Sequence, residues 1–296
     1  MDKPIIIGAG ELLWDMLPGG KQLGGAPANF AWHATQMGGQ GIVYSAVGKD
    51  PLGTEIIDLL TYKRMDTHFV SQLGEFPTGR VDVKIDSSGI PEYNIKTGVA
   101  WDKIPLCKHR SEIVDNASVF CFGALAQRNN VSFTTIQTLL DELPETCLKI
   151  FDINLRQTFY TRGIIETSLQ KSNVLKLNED ELPVVARMFG FKGGETQILE
   201  KILDEFSIEM LALTKGGVGS LIRTKTESSW LESPKVKIAD TVGAGDSFTA
   251  TLAMGILHKL PIKKVHQNAV AVSAFVCTQH GAMPKIPASL LMSCQV

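Results

Sequence analysis

The stretch Asp240-Thr241-Val242-Gly243-Ala244-Gly245-Asp246-Ser247-Phe248 governs the interpretation of this 296-residue chain, because small residues and an acid lead directly into an apolar run. Phe248, Leu252 and Ile256 recur every fourth residue, which is the spacing of one buried helix face. We therefore expect an amphipathic helix that begins near Gly245. The first N–H groups of a helix have no partner within it, and the helix dipole favours negative charge. The stretch thus predicts an anion-binding site.

Asp246 lies inside this predicted anion site, where a fixed negative charge opposes simple phosphate binding. A carboxylate is useful there if it accepts the proton of a hydroxyl group that attacks the phosphate. The alternative is an ordinary helix N-terminus, where the dipole favours an acid in the first turn. This stretch by itself leaves both interpretations open.

The composition indicates a globular protein of one large domain or two small ones. Hydrophobic residues make up 44% and charged residues 20%, which is enough apolar material for a core. The formal charge of −2 gives no reason to expect a nucleic acid or an anionic membrane as partner. The first residues do not form a signal peptide, and the five cysteines lack Cys-x-x-Cys spacing. We expect a cytoplasmic protein with free thiols.

A second informative stretch is Gly24-Gly25-Ala26-Pro27-Ala28-Asn29. The glycines and the proline predict a tight turn into a helix, with Asn29 in its first turn. Asp15 follows the first predicted strand, at the place where open α/β sheets bind ligands. Carboxylate and amide groups there can bind the hydroxyls of a polyol, although an ordinary loop acid and a plain helix start remain alternatives.

Together the two stretches resemble the signatures of the ribokinase-like (PfkB-type) carbohydrate kinases, and the second is most similar to bacterial fructokinases. The resemblance covers nearly the whole chain. It implies that Asp246 is the catalytic base and that the amides of Gly243, Ala244 and Gly245 form the anion hole. It also implies a sugar site made of Asp15, Gly24, Gly25 and Asn29.

The same resemblance implies that two arginines lie near the substrate. Arg128 follows a predicted strand, at a loop that lies near the sugar in fructokinase-like proteins; as an isolated residue it would be expected on the solvated surface. Arg156 ends an Asp-x-Asn-x-Arg run at the end of a central strand. Its guanidinium could neutralise phosphate or position the sugar.

The residues that bind the nucleotide are also predicted by resemblance. The chain has no P-loop motif from which a phosphate-binding loop could be predicted directly. Asn178 and Glu181 form an Asn-x-x-Glu motif, which in the family organises Mg²⁺ and phosphate through water; a helix capping box is the alternative. The run that contains Thr214, Gly216 and Gly219 resembles the nucleotide phosphate loop. Residues that match a monovalent-cation site, here expected to hold K⁺, are Asp240, Val242 and Ala282.

The rhythm of strands and helices predicts a mainly parallel sheet with helices on both faces. Residues 79–97 interrupt this rhythm with alternating apolar and polar positions, which predicts a hairpin. By resemblance, residues 1–296 form one three-layer α/β/α domain with a small β-sheet lid contributed by about 12–24 and 74–104. The lid would close over the sugar and pair with a second copy in a homodimer.

The expected activity is phosphoryl transfer from ATP, with Mg²⁺, to a primary hydroxyl of a sugar. D-Fructose, giving fructose 6-phosphate, is the first choice of acceptor. The same chemistry on 2-keto-3-deoxygluconate, ribose or a nucleoside is the second interpretation. A sugar-binding relative without catalysis is the third, and the intact Asp246 and glycines count against it.

Overall fold

Runs of β-forming residues alternate with helical runs along most of the chain, and the computed structural model, which describes residues 3–17, 19–85 and 91–293, follows that alternation. This part of the chain contains thirteen strands, ten α-helices and two short 3₁₀-helices, Ala100–Lys103 and Leu125–Arg128. The strands are β1 Ile5–Ala9, β2 Leu13–Leu17, β3 Gly20–Gly24, β4 Gln40–Gly48, β5 Val70–Leu73, β6 Gly79–Ile85, β7 Pro91–Ile95, β8 Ala117–Phe122, β9 Leu148–Asp152, β10 Val174–Asn178, β11 Met210–Lys215, β12 Gly219–Thr224 and β13 Ser228–Glu232. The helices are α1 Ala26–Gln36, α2 Pro51–Tyr62, α3 Ser111–Val114, α4 Asn130–Glu142, α5 Arg162–Gln170, α6 Glu181–Phe189, α7 Glu195–Glu205, α8 Ala244–Leu257, α9 Ile262–Cys277 and α10 Ala288–Ser293.

The larger of two sheets has nine strands in the order β13-β12-β11-β10-β9-β8-β1-β4-β5. The strands from β5 to β11 pair in parallel, and the hairpin of β12 and β13 adds an antiparallel edge. The strand order reverses at β1. After β1 the chain adds β4 and β5 on one side of it, and then β8 and the later strands on the other side. Open α/β sheets bind ligands at such a point, beyond the carboxyl ends of the strands.

Both faces of the large sheet are covered, as a parallel sheet requires. Successive side chains of a strand point to opposite faces. In β8, Val119 and Cys121 accordingly join the core beneath α1, α8 and α9, whereas Phe120 and Phe122 join the core beneath α4 to α7. The expected mainly parallel sheet between two helical layers is present. No helix in the described ranges has the length and apolar character that crossing a bilayer requires.

Helix α8 begins at Ala244, close to the predicted start, but its environment differs from the prediction. Every residue from 247 to 255 is buried, because α1 and α9 enclose the helix. The expected amphipathic character is therefore wrong. The hydroxyls of Thr249 and Thr251 bond to the carbonyls four residues earlier, so burial leaves these polar groups satisfied.

The small sheet has the strand order β3-β2-β6-β7 and is separate from the large one. Strands β6 and β7 are antiparallel, which confirms the predicted hairpin, although its turn lies outside the described residues. Asp15 lies in the middle of β2, where it pairs with Gln22 of β3, rather than in a loop after β1. The residue pattern did not predict β2, because the run is only five residues long and lacks a clear alternation of apolar and polar residues; only the resemblance placed this segment in a β-sheet lid.

Candidate active site

The N-terminus of α8, residues 243–246, which we call the helix mouth, is shaped by Gly243. The backbone of Gly243 has a φ of 79°. This left-handed conformation favours glycine. A Cβ atom at Gly243 would lie 2.5 Å from the carbonyl oxygen of Ala282, so a larger residue would displace the neighbouring loop. Among the described residues, the N–H groups of Gly245 and Asp246 have no backbone or side-chain acceptor within hydrogen-bond reach. The N–H of Ala244, which the resemblance also assigned to the anion hole, donates to the carbonyl of Thr241 over 3.3 Å. The helix therefore presents free donors at the predicted anion hole, but from Gly245 and Asp246 rather than from Ala244.

The two signature stretches meet at this mouth. Asn29, in the first turns of α1, donates a hydrogen bond from Nδ2 to Oδ2 of Asp246 over 2.7 Å, although the two residues are 217 positions apart. The carbonyl-type oxygen Oδ1 of Asn29 is buried and has no partner among the described residues. The contact places the predicted base beside the predicted sugar ligand.

The pKa of Asp246 is raised from 3.8 to about 6. Burial is the main cause, and the nearby negative charge of Asp152 adds to it. The hydrogen bond from Asn29 and the positive charges of Lys176 and Arg156 act in the opposite direction. A carboxylate with this pKa is a better proton acceptor near neutral pH than an ordinary aspartate.

A buried ion pair that sequence reasoning missed lies directly beneath the helix mouth. Lys176 of β10 contacts Asp152 of β9 with an Nζ–Oδ1 distance of 2.9 Å, and both side chains are almost fully buried. Thr249 of α8 donates to the second oxygen of Asp152. The Lys176 ammonium lies 3.0 Å from the position that a Cβ of Gly245 would occupy, so a fixed positive charge supports the anion hole from below.

The charge state of this pair follows from its surroundings. Burial disfavours the charged ammonium, but the carboxylates of Asp152 and Glu181 outweigh it, so that the pKa of Lys176 is raised. Lys176 therefore stays charged at neutral pH. Its signal in the sequence is a lysine within the apolar strand Val174–Asn178, which is uncommon for a strand buried on both faces.

The acceptor side of the site is built on β2 and on the turn before α1. Gly24 lies against the Asp15 carboxylate and Gly25 against the backbone of Glu11, so a Cβ at either glycine would overlap with them. Gly25 also has a φ of 119°, which an L-amino acid with a side chain rarely adopts. The pKa of Asp15 is raised to about 6, mainly by burial; the charge of Arg156 opposes the increase and the charge of Asp240 adds to it.

Arg156 is the exposed cation that faces this group of acids. Its charge lowers the pKa of Asp15, Asp246 and Glu11 alike. It lies in a loop in which Asn154 has a φ of 49° and accepts a hydrogen bond from the Arg156 guanidinium. Strained backbone of this kind often occurs where a side chain must be held for function.

Glu11 is a second residue to which the sequence analysis assigned no role. The side chain is buried at the end of β1, and Oε1 accepts a hydrogen bond from the N–H of Ala26 at the start of α1. Oε2 has no partner within the described ranges. Burial raises the pKa of Glu11 from 4.5 to about 7, and the charge of Asp246 adds to the increase.

Glu11→Gln is expected to stabilise the protein at alkaline pH and to have no effect near pH 4.5. The native state holds its proton more tightly than the unfolded state does, so stability is lost as the pH rises from the unfolded pKa to the folded one. A pKa shift of this size lowers the free energy of unfolding of the wild type by about 3 kcal/mol above pH 7.5, and the glutamine variant avoids this loss. Urea unfolding of the variant and the wild type between pH 4.5 and 8 measures the difference.

The exposed Glu209→Gln is a matched control for this experiment, because the same substitution there removes a carboxylate that is already solvated. A constant difference between Glu11→Gln and the wild type across the pH range would contradict the assignment of Glu11 as a buried acid.

Arg128 is buried rather than on the surface, so the expectation of a solvated arginine is wrong. Its Nε atom donates to Asp102 over 2.7 Å, and its guanidinium lies between the rings of Trp101 and Phe159. NH2 contacts the carbonyl of Lys96, and NH1 alone has no partner in the described part of the chain. Arg128 thus links the base of the small sheet to the loop that carries Arg156, and its contact with the sugar stays a prediction.

The predicted nucleotide loop lines a cleft of about 430 Å³ next to the mouth of α8. Thr214, Gly216 and Gly219 contribute one wall, and Ala244 and Gly245 lie at its inner end. Apolar side chains from α8, α9 and the segment before α8 line the remainder, namely Phe248, Val270, Ala274, Val236 and Ile238. The cleft therefore joins an apolar pocket to the free N–H groups, an arrangement that suits a base at one end and phosphates at the other.

Asn178 and Glu181 make the reciprocal hydrogen bonds of a capping box. Asn178 Oδ1 accepts from the N–H of Glu181, and Glu181 Oε2 accepts from the N–H of Asn178. Oε1 of Glu181 accepts from the N–H of Leu155. Burial raises the pKa of Glu181, which the charge of Lys176 opposes. Because both carboxylate oxygens already hold backbone donors, a role toward Mg²⁺ through water fits them better than direct ligation.

The predicted cation ligands come together in two adjoining loops. Asp240 accepts hydrogen bonds from the N–H groups of Val242 and Gly281, and the Ala282 carbonyl accepts one from His33. These oxygen atoms are thus engaged in protein hydrogen bonds. K⁺ binding at this position stays a prediction.

Comparison with known proteins identifies the family. Residues 11–289 match the sequence model of the pfkB family carbohydrate kinases. An ATP-dependent 6-phosphofructokinase of Thermoanaerobacterium thermosaccharolyticum is 27% identical over 300 residues, covering 95% of this chain and 90% of the relative. A fructokinase of Escherichia coli is 25% identical over 301 residues, covering 94% of each chain.

A third relative has a solved structure. An uncharacterized sugar kinase of Pyrococcus horikoshii is 29% identical over 272 residues, covering 88% of this chain and 83% of the relative. Its crystal structure superposes with a TM-score of 0.85 at 25% identity, covering 99% of this chain and all of the other, and it has also been solved in complex with ATP. Because the match spans both signature stretches and the sheet architecture agrees, this chain belongs to the pfkB family of carbohydrate kinases, with the ribokinase-like fold.

Proposed function

We propose that this protein transfers the γ-phosphoryl group of ATP to a primary hydroxyl of D-fructose. The contact between Asn29 and Asp246 carries the proposal, because it puts a hydroxyl-binding amide and a proton acceptor at the mouth of a helix with free N–H groups. A hydroxyl bound at Asn29 would face the phosphate held at that mouth. The catalytic and binding roles follow from this arrangement.

In the proposed reaction, Asp246 accepts the proton of the attacking hydroxyl as the bond to phosphorus forms. The N–H groups of Gly245 and Asp246 stabilise the charge that grows on the transferred phosphoryl oxygens. Lys176 adds a fixed positive charge behind them. Thr214, Gly216 and Gly219 bind the remaining phosphates along the cleft. The attacking hydroxyl and the departing ADP then lie in line on opposite sides of the transferred phosphorus.

The excess of acids around the helix mouth supports the use of Mg²⁺. Asp246, Asp152 and Glu181 outnumber the cations Lys176 and Arg156, and Glu11 adds a further negative charge as the pH rises above 7, so a free triphosphate would be repelled. No group of three or more acidic, histidine or cysteine side chains in the described ranges could itself hold a metal ion. Mg²⁺ bound to the nucleotide would neutralise the phosphates, with Asn178 and Glu181 reaching it through water.

The same acids favour an uncharged acceptor. The pKa values of Glu11, Asp15 and Asp246 are raised mainly because burial removes water from each carboxylate, and an anionic group on the acceptor would be desolvated beside them in the same way. An anionic group on the sugar would depend mainly on Arg156 for neutralisation, since the Nε and NH2 atoms of Arg128 are bonded elsewhere and only its NH1 is unpartnered in the described part of the chain. D-Fructose therefore fits better than 2-keto-3-deoxygluconate or a sugar phosphate. The E. coli relative, a fructokinase, agrees with this choice.

A sugar phosphate is the main competing acceptor, because the Thermoanaerobacterium relative is a 6-phosphofructokinase. ADP release with ATP and Mg²⁺ distinguishes them across D-fructose, fructose 6-phosphate, D-ribose, 2-keto-3-deoxygluconate and adenosine, with and without K⁺. A dominant response to D-fructose supports the proposal. Turnover with another acceptor keeps the mechanism and replaces the sugar. Sugar binding without any turnover would favour the non-catalytic interpretation.

The pH dependence of kcat/KM should have an acid limb near pH 6. This parameter reports the free enzyme, and both Asp246 and Asp15 must be ionised to accept hydrogen bonds or protons from the sugar. Since both pKa values are raised to about 6, activity falls as the pH drops through that value, with a slope steeper than one. Asp15→Asn should reduce the slope to one. Full activity down to pH 4.5 would contradict this prediction.

We also propose that the small sheet, with residues 12–24 and 74–104, closes over the sugar and excludes water from the phosphoryl group. Its base is fixed by Asp50, whose carboxylate accepts hydrogen bonds from the N–H and hydroxyl of Thr78 and caps α2 through Gly53. Strand β6 begins one residue later. Pairing of two copies through this sheet is part of the same proposal.

A further inference from the structure

We propose that His33 is a positioning residue that sets the geometry of the anion hole by holding the Ala282 carbonyl against Gly243. This inference rests on the proposed function, because it assigns His33 a part in the phosphoryl-transfer site. His33 is fully buried on α1, and its Nε2 lies 2.9 Å from the carbonyl oxygen of Ala282. A carbonyl oxygen only accepts hydrogen bonds, so Nε2 carries the proton.

Residues 281–286, which we name the C-terminal strap, are fastened to α1 and α2 by side chains. Besides His33, Trp32 and Gln36 donate to the carbonyl of Pro284, and Gln36 also accepts from the N–H of Ile286. Lys63, next to α2, donates to the carbonyl of Met283. Of these contacts, the one made by His33 is nearest to the mouth of α8, because Ala282 is the residue packed against Gly243.

The contact between His33 and Ala282 directly affects the geometry of the helix mouth. The backbone of Ala282 leaves no room for a Cβ at Gly243, so its position fixes where the left-handed residue and the following N–H groups can lie. The strap is tied to the other side of the mouth as well, since the N–H of Gly281 donates to Asp240. Loss of the His33 bond would free the carbonyl that limits Gly243.

Helix α1 thereby holds the mouth of α8 at two points. Asn29 and His33 are four residues apart, which places them on the same face of the helix, one turn from each other. Asn29 contacts Asp246 directly, and His33 acts through Ala282 on Gly243. The same rigid element therefore sets both the proton acceptor and the phosphate donors, and their relative position depends on both contacts.

Histidine suits this task because it stays neutral. The pKa of His33 is lowered to about 4, mainly by burial and also by the charge of Lys63, against the opposite effect of the Ala282 hydrogen bond. The ring thus donates from Nε2 without carrying a charge beside a phosphate site. Its other nitrogen, Nδ1, is buried without a partner among the described residues.

His33→Phe tests the proposal, because phenylalanine keeps a planar ring and removes the donor. A small misplacement of reacting groups can cost about 10²-fold in rate, so we expect kcat to fall about 10- to 100-fold. The KM values for sugar and ATP should change less than about threefold, since Asn29 and the cleft remain in place. His33→Gln retains a donor and should recover part of the lost kcat.

Gln36→Met is the matched control. It removes two hydrogen bonds to the same strap, at the end away from Gly243, and should leave kcat within about twofold of the wild type. Hydrogen exchange, read by mass spectrometry, supplies a measurement that does not need catalysis. The amide hydrogens of residues 241–247 should exchange faster in His33→Phe than in the wild type. Their exchange rate should be unchanged in Gln36→Met.

The outcomes separate the two proposals. A wild-type protein without kinase activity would refute the proposed function, while the exchange comparison would still test the role of His33. Equal effects of His33→Phe and Gln36→Met on kcat and exchange would overturn the inference, because they would indicate general loosening of the strap. Unchanged exchange at 241–247 in a folded His33→Phe protein would overturn it too.

Discussion

Asp246→Asn is expected to lower kcat by about 10²- to 10⁴-fold, the usual contribution of a positioned general base. The amide cannot take the proton of the sugar hydroxyl, but its oxygen can still accept the hydrogen bond from Asn29. The sugar site should therefore keep its shape. Steady-state kinetics should show the loss in kcat, and calorimetry should show sugar affinity close to that of the wild type.

Asp58→Asn is a suitable control, since Asp58 is exposed on α2, away from the site. It makes the same chemical change and should leave kcat unaltered. If Asp246→Asn retained kcat within tenfold of the wild type, Asp246 would orient the hydroxyl rather than accept its proton. The free N–H groups of the helix mouth would then carry most of the catalysis.

Lys176→Met is expected to have the second large effect, on both stability and turnover. The substitution leaves the buried Asp152 carboxylate without its cation, and removing one partner of a buried ion pair typically costs about 3–5 kcal/mol. It also removes the positive charge beneath the anion hole, so kcat should fall. Without Lys176, the pKa of Asp246 should rise further, and the acid limb should move to higher pH.

The double variant Lys176→Met, Asp152→Asn separates the two effects. With the Asp152 charge removed as well, much of the stability should return, as double-mutant analysis of the free energy of unfolding would show. Turnover should stay low because the fixed cation is still absent. Recovery of both stability and kcat in the double variant would mean that Lys176 serves folding alone. A full loss of stability in the double variant would contradict the assignment of an isolated ion pair.

Local patterns in the sequence were sufficient for the elements that depend on neighbouring residues. The four-residue spacing that starts at Phe248 predicted α8 to within a residue, and alternation predicted the hairpin of β6 and β7. The alternation of strands and helices predicted the parallel sheet. The two signature stretches led to the right family. These successes share a cause, since helix and strand periods are set by the backbone of the segment itself.

Contacts between distant segments decided the remainder. Asp15 became part of a strand because β3 and β6 pair with it, and Arg128 became buried because Asp102 and two aromatic rings surround it. Helix α8 is buried on all sides because α1 and α9 enclose it. Although β3 and α9 follow closely along the chain, β6, Asp102 and α1 lie far away in sequence, so no local periodicity could reveal these contacts.

The chemistry of the site was decided in the same way. The sequence by itself determined that Asp246 lies at a helix mouth rich in glycine, which is a property of nine consecutive residues. Only the tertiary structure raised the pKa of Asp246, placed Lys176 beneath the mouth, and left Glu11 as a buried acid. The physical reason is that a pKa depends on burial and on charges a few ångströms away, which the fold supplies from β1, β9 and β10.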